Sequence, residues 1–126
     1  MNKDMRMKTT VGLWIDHKQA VIVSVTGETE EIKVIHSGIE KPQQAPADDK
    51  QQRVWTEHLN KYYDEVIAVV RNVKELFLVG PGEAKGELKR RLERTLLYGR
   101  KIEVETVDKL TEPQIVAKVR ERFLAD

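Results

Sequence analysis

The order in which hydrophobic periods change along the chain does most to limit its fold. Three segments of strand character come first, and only then does the pattern switch to helix and strand in alternation. Val11, Leu13 and Ile15 alternate with Gly12, Trp14 and Asp16, and after the polar break His17, Lys18, Gln19 a mostly apolar run extends from Ala20 to Val25. A period of two followed, across a short break, by a β-branched apolar run predicts a β-hairpin. Thr26, Gly27, Glu28 and Thr29 supply a second turn, with Gly27 suited to positive φ, before a more polar third strand from Glu31 to His36. From Gly38 to about Lys50 the chain has Pro42, Pro46 and no period. A loop of that length in a compact domain is functional or mobile.

The second half reads differently. Trp55, Leu59, Tyr62, Val66, Val69 and Val73 fall at alternating spacings of four and three, which predicts an amphipathic helix from roughly Gln51 to Val73. Glu75 to Val79 form a short, mostly apolar strand that runs into the turn Gly80, Pro81, Gly82. Leu88, Leu92 and Leu96 then stack at helical spacing up to a stop at Gly99, and Ile102, Val104 and Thr106 alternate with Glu103, Glu105 and Val107 as a last strand with one wet face. Thr111 and Gln114 match a capping box, with Pro113 tolerated in the first turn, and Ile115, Val119 and Phe123 give the final helix its apolar side.

The predicted order is β-β-β-α-β-α-β-α. Strand, helix, strand requires a parallel crossover, so the fold class is α/β with a mixed five-stranded sheet covered by helices. A chain of 126 residues closes one core, so residues 10–126 read as a single domain behind a flexible tail at 1–9. No stretch approaches the roughly 18 apolar residues of a membrane helix, and the basic N-terminus has no apolar segment behind it, which makes a cytoplasmic protein without membrane contact the expectation. The absence of cysteine removes disulfides, thiolate metal sites and cysteine nucleophiles.

A net charge of +1 points to no partner by itself, but the charge is uneven. Between residues 82 and 101 seven basic side chains face three acidic ones, whereas the rest of the chain is net acidic. Lys89, Arg90 and Arg94 lie on or beside the helix face opposite the leucines and can track a phosphate backbone. Lys85 sits in the first turn beside Gly80 and Gly82, where free amides and close backbone approach favour an anion. The glycine spacing matches neither a P-loop nor a dinucleotide fingerprint, and an ordinary solvated helix face, laced by Glu87 with Arg91, is the competing explanation. Asp16 and His17, after the first strand, form a secondary candidate site, with Glu57, His58 and Asp108 available to join them. One carboxylate does not hold a two-metal centre, and Gly80 stands where a second is wanted at the end of the adjoining strand. Asp16 then serves to cap the hairpin turn, while Trp55, beside the long loop, can stack on a base.

The segments GLWIDHKQAVIVSV and LFLVGPGEAKGELKRRL, with the helix between them and the final strand and helix, resemble the middle domain of archaeal and eukaryotic peptide-chain release factors and Pelota. The similarity runs over roughly residues 10 to 125 and is closer still to short bacterial translational machinery proteins. It implies a ribonuclease H-like fold and a role in translation, with ribosome or structured RNA as partner. Release factors carry a Gly-Gly-Gln tip between the third strand and the long helix. Here the interval SGIEKPQQAPADDKQQ contains Gln43, Gln44, Gln51 and Gln52 without a preceding glycine pair, so peptidyl-tRNA hydrolysis is not expected. Pelota also lacks the tip. The expectation is a non-catalytic RNA- or ribosome-associated domain with no cofactor and no metal. Its alternatives are a protein-interaction or homo-oligomeric module without RNA binding and, third, a hydrolase centred on Asp16 and His17.

Overall fold

The computed structural model describes residues 10–26, 28–38, 49–95 and 101–124. Its elements are β1 (Thr10–Ile15), β2 (Gln19–Thr26), β3 (Thr29–His36), α1 (Asp49–Val70), β4 (Glu75–Gly80), α2 (Ala84–Thr95), β5 (Lys101–Thr106) and α3 (Glu112–Leu124), in the expected order. The tail at 1–9, Gly27, most of the long loop and the helix stop at 96–99 lie outside the described residues.

The five strands form one mixed sheet in the order β3-β2-β1-β4-β5. β1, β2 and β3 pair antiparallel, whereas β4 runs parallel to both β1 and β5. This is the ribonuclease H-like arrangement that the resemblance implied. The two strands flanking the parallel seam are buried on both faces, which is why they read as near-continuous apolar runs. Alternation divides their side chains between two cores: Val11, Leu13, Ile15, Leu76 and Leu78 meet α1 and α2, whereas Trp14, Phe77 and Val79 meet α3 on the opposite face.

Helix ends follow local chemistry. The capping box at α3 forms, with Gln114 Oε1 accepting from the Thr111 amide at 2.9 Å and Thr111 Oγ1 accepting from the Gln114 amide at 3.3 Å. α1 stops at Val70, three residues before the predicted end. Val73 is nevertheless buried, because the turn at Arg71 and Asn72 returns the chain to the core and the Val73 amide donates to the Val70 carbonyl. The spacing of Val73 reported burial rather than helix.

Two glycines make the layers fit. A Cβ on Gly12 would lie 2.2 Å from Val119 Cγ2, so α3 packs directly against the β1 backbone there. A Cβ on Gly80 would lie 2.3 Å from the Ile15 carbonyl oxygen, so the ends of β1 and β4 approach more closely than any side chain allows. Gly82 has nothing within 4 Å of such an atom and its φ is not positive. Gly80→Ala is expected to cost about 3 kcal/mol or more in urea denaturation, since backbone must move, and Gly12→Ala about 1–3 kcal/mol, while Gly82→Ala stays within about 0.5 kcal/mol of the parent. Equal stability of all three variants would contradict this packing.

Candidate functional site

In sheets of this kind, ligands meet the protein outside the carboxyl ends of the parallel strands, where neighbouring connections depart in opposite directions. Here that point lies between β1, which continues into the turn at Asp16, and β4, which continues through Gly80 and Gly82 into α2. The turn is fixed by Asp16 itself. Its Oδ1 accepts from the amides of Lys18 at 2.8 Å and Gln19 at 2.9 Å, and its carbonyl oxygen accepts from the Tyr62 hydroxyl at 2.9 Å. One Asp16 carboxylate oxygen is thus committed to the hairpin.

His17 turns toward α2, where its Nε2 lies 3.1 Å from Glu87 Oε1. The same oxygen accepts from the Tyr63 hydroxyl at 2.5 Å. Glu87 therefore joins α1, α2 and the β1–β2 turn, a role no local pattern signalled. The Glu87 and Arg91 pair that the competing explanation invoked gives way to this arrangement: the Arg91 guanidinium instead lies over the Tyr63 ring, 5.1 Å from its centre, and donates to Asn60 Oδ1. Trp55, half-buried at the start of α1, meets the His17 ring edge-on at 5.4 Å. Glu57, His58 and Asp108 are exposed. Among the described residues no group of three acidic or histidine side chains is placed to hold a metal ion.

The predicted basic residues separate into two kinds. The Lys85 ammonium bends back to the Gly82 carbonyl at 2.5 Å, and Lys89 pairs with Glu93 at 3.2 Å. Arg90 and Arg94 are exposed and form no ion pair among the described residues. They stand at one side of a cleft of about 280 Å³ between α1 and α2, in which Trp55, Asn60 and Tyr63 face Glu87 and Arg91. Gly80 and Gly82 sit at the foot of α2, Gly80 buried and Gly82 exposed.

Comparison with solved structures places this geometry. No family model and no curated protein matches the chain by sequence. Pelota from Archaeoglobus fulgidus superposes with a TM-score of 0.61 at 18% identity, covering 91% of this chain and 31% of that one. An archaeal translation termination factor gives 0.60 at 17% identity, over 94% of this chain and 36% of its own. Archaeal Pelota in a ribosome-bound complex with ABCE1 gives 0.54 at 18% identity, over 91% and 32%. The likeness is one of fold. The chain spans about a third of the length of the structures it matches. Among the described residues no helix is long and apolar enough to cross a membrane.

Burial pushes both phenols well above the usual tyrosine range. The Asp16 charge adds to the effect at Tyr62; at Tyr63 the bond to Glu87 adds to it and Arg91 opposes it. The folded state thus holds these protons more tightly than the unfolded chain, whose tyrosines titrate near 10.0. Their contribution is complete below that value and is lost as pH rises above it. The urea midpoint should fall steeply above about pH 10, and less steeply in Tyr62→Phe. A parent and variant with parallel alkaline profiles would exclude this source. At neutral pH, Tyr63→Phe should cost about 1 kcal/mol, because Glu87 is deprived of a donor.

Proposed function

We infer that residues 10–126 act as one non-catalytic unit on the translation apparatus and contact RNA or the ribosome through the exposed side of α2. The observation that carries the reading is the coincidence of a translation-factor fold with two exposed arginines, Arg90 and Arg94, on the helix that leaves the sheet's carboxyl edge. The ribosome-bound state of archaeal Pelota supports a ribosomal partner for a domain of this shape, and the sequence resemblance to short bacterial translational machinery proteins points the same way. That partner would set the place of action in the cytoplasm.

Lys89 and Lys85 are the supporting cations. Lys85, held against Gly82, adds positive charge at the foot of α2. The absence of Gly-Gly-Gln before α1 supports a role other than peptidyl-tRNA hydrolysis. The engagement of Asp16, one of whose carboxylate oxygens accepts two turn amides, supports a structural part for it in the hairpin.

A protein-interaction or homo-oligomeric module is the second reading. It draws support from the outer strands, where β3 and β5 expose Ile32 and Val104 at 42% and 39%. The two are separated by sedimentation through a ribosome gradient at low and high salt. The RNA reading expects comigration with subunits or ribosomes that salt disrupts and that the charge reversal Arg90→Glu with Arg94→Glu abolishes. On purified RNA the same variant should flatten the dependence of log affinity on log salt by about 0.7 to 0.9 for each phosphate that is no longer neutralised. Sedimentation at the top at both salts, together with salt-insensitive self-association, would move the second reading ahead.

A further inference from the structure

The cleft between α1 and α2 has three chemically distinct parts. Its floor is already assembled: Tyr63 donates to Glu87, and Arg91 stacks on Tyr63 while donating to Asn60. One wall is the half-buried indole of Trp55, steadied edge-on by His17. The rim is cationic, with Arg90 and Arg94 exposed and forming no ion pair among the described residues. An aromatic wall, a hydrogen-bonding floor and a cationic rim together suit a planar heterocycle that carries a phosphate.

Size and chemistry narrow the ligand further. About 280 Å³ lies just below the range of pockets that enclose drug-sized molecules, and it suits one base rather than a peptide segment or a duplex. Bases in a duplex are stacked and paired, so only an unpaired one can turn into the cleft. A simple acidic peptide would use the rim and leave the indole wall unfilled. A phosphorylated tyrosine would fill it, but the edge of a phenyl ring carries no hydrogen-bonding groups for a polar floor, whereas a base edge carries both donors and acceptors.

We propose that this cleft receives a single unpaired nucleotide unit, its base against Trp55 and its phosphate across Arg90 and Arg94. The proposal rests on the RNA-contacting reading above and narrows it from a charged surface to unpaired strand. A free mononucleotide offers the same chemistry, and the test separates the two sources.

The full chain is titrated with a single-stranded RNA of about ten nucleotides, a duplex of the same length, a free nucleoside monophosphate and a phosphotyrosyl peptide, read by anisotropy and tryptophan emission. Trp14 is only 1% exposed, so a ligand-dependent change in emission reports Trp55. Single strand should quench the emission, and Trp55→Ala should weaken its binding about tenfold with the salt slope unchanged. Trp55→Phe should recover most of that affinity, which separates stacking from misfolding, and duplex binding should be indifferent to both changes. If single strand and duplex bind alike and neither quenches, the cleft proposal falls while the RNA reading stands. If no RNA binds but the monophosphate quenches, the RNA reading falls and the cleft is a mononucleotide site. Binding of the phosphotyrosyl peptide alone, or of nothing, overturns the proposal.

Discussion

β1 and β4 run parallel from Thr10 opposite Glu75 to Trp14 opposite Val79, and this pairing joins two halves of different construction. On one side lies the antiparallel meander of β1, β2 and β3; on the other, strands alternate with helices. A parallel pair is buried on both faces and needs a long connection, which here passes through β2, β3 and α1 before β4 returns beside β1. The two strands end in contact at Gly80, whose missing side chain admits the Ile15 carbonyl. From that contact the chain departs in two directions, into the Asp16 turn and into α2. Every group of the candidate site is placed by one of those departures or by α1 lying across them.

Glu87 converts this placement into a rigid arrangement. A carboxylate only about 30% exposed, beside the buried Tyr63 phenol, would be costly without donors. Its Oε1 receives the Tyr63 hydroxyl from α1 and stands within hydrogen-bond distance of His17 from the β1–β2 turn, so three separate segments share one acceptor. Arg91 is then free of its helical neighbour and stacks on Tyr63, which closes the floor of the cleft. Arg90 and Arg94, turned outward, keep their charge for solvent or ligand. Helix geometry sets the order of these side chains: 87, 91 and 94 repeat at spacings of four and three, so Glu87 and Arg91 line the cleft, Arg94 follows one turn on at its exposed end, and Arg90 lies beside that line.

Periodicity made all eight elements legible in the sequence, and turn chemistry placed the joints at Asp16 and Thr111. The capping box at Thr111 and the turn role of Asp16 are local devices, complete within four residues, and local reading found them. What it could not find was decided by residues distant in sequence. Gly12 looked like one member of an alternating strand, but its reason is Val119 on the last helix. Glu87 had Arg91 at the preferred helical spacing, yet buried phenol and imidazole partners were available once the sheet brought them near, and they won. A signal for the cleft did exist: Thr56, Asn60 and Tyr63 repeat at four and three on α1, a polar stripe beside the apolar one, and Glu87, Arg91 and Arg94 repeat the same spacings on α2. Two matched polar stripes on helices flanking one strand are a tertiary pattern, visible only when both helices are assigned to the same face of the sheet.

The distribution of hydrogen bonds at the carboxyl edge bears on what such a site can do. General acid or base catalysis needs a group free to exchange a proton with a bound substrate. Here Asp16 Oδ1 is held by two amides, Glu87 Oε1 serves Tyr63 and His17, and both tyrosines keep their protons far into alkaline conditions. These groups bind one another through one oxygen of each carboxylate, which fixes the geometry of this edge of the sheet. A fixed, partly apolar recess rimmed by cations recognises its ligand by shape and charge without having to reorganise, and so gives up little binding free energy to ordering. That rigidity is what the proposed contact with an unpaired strand would draw on.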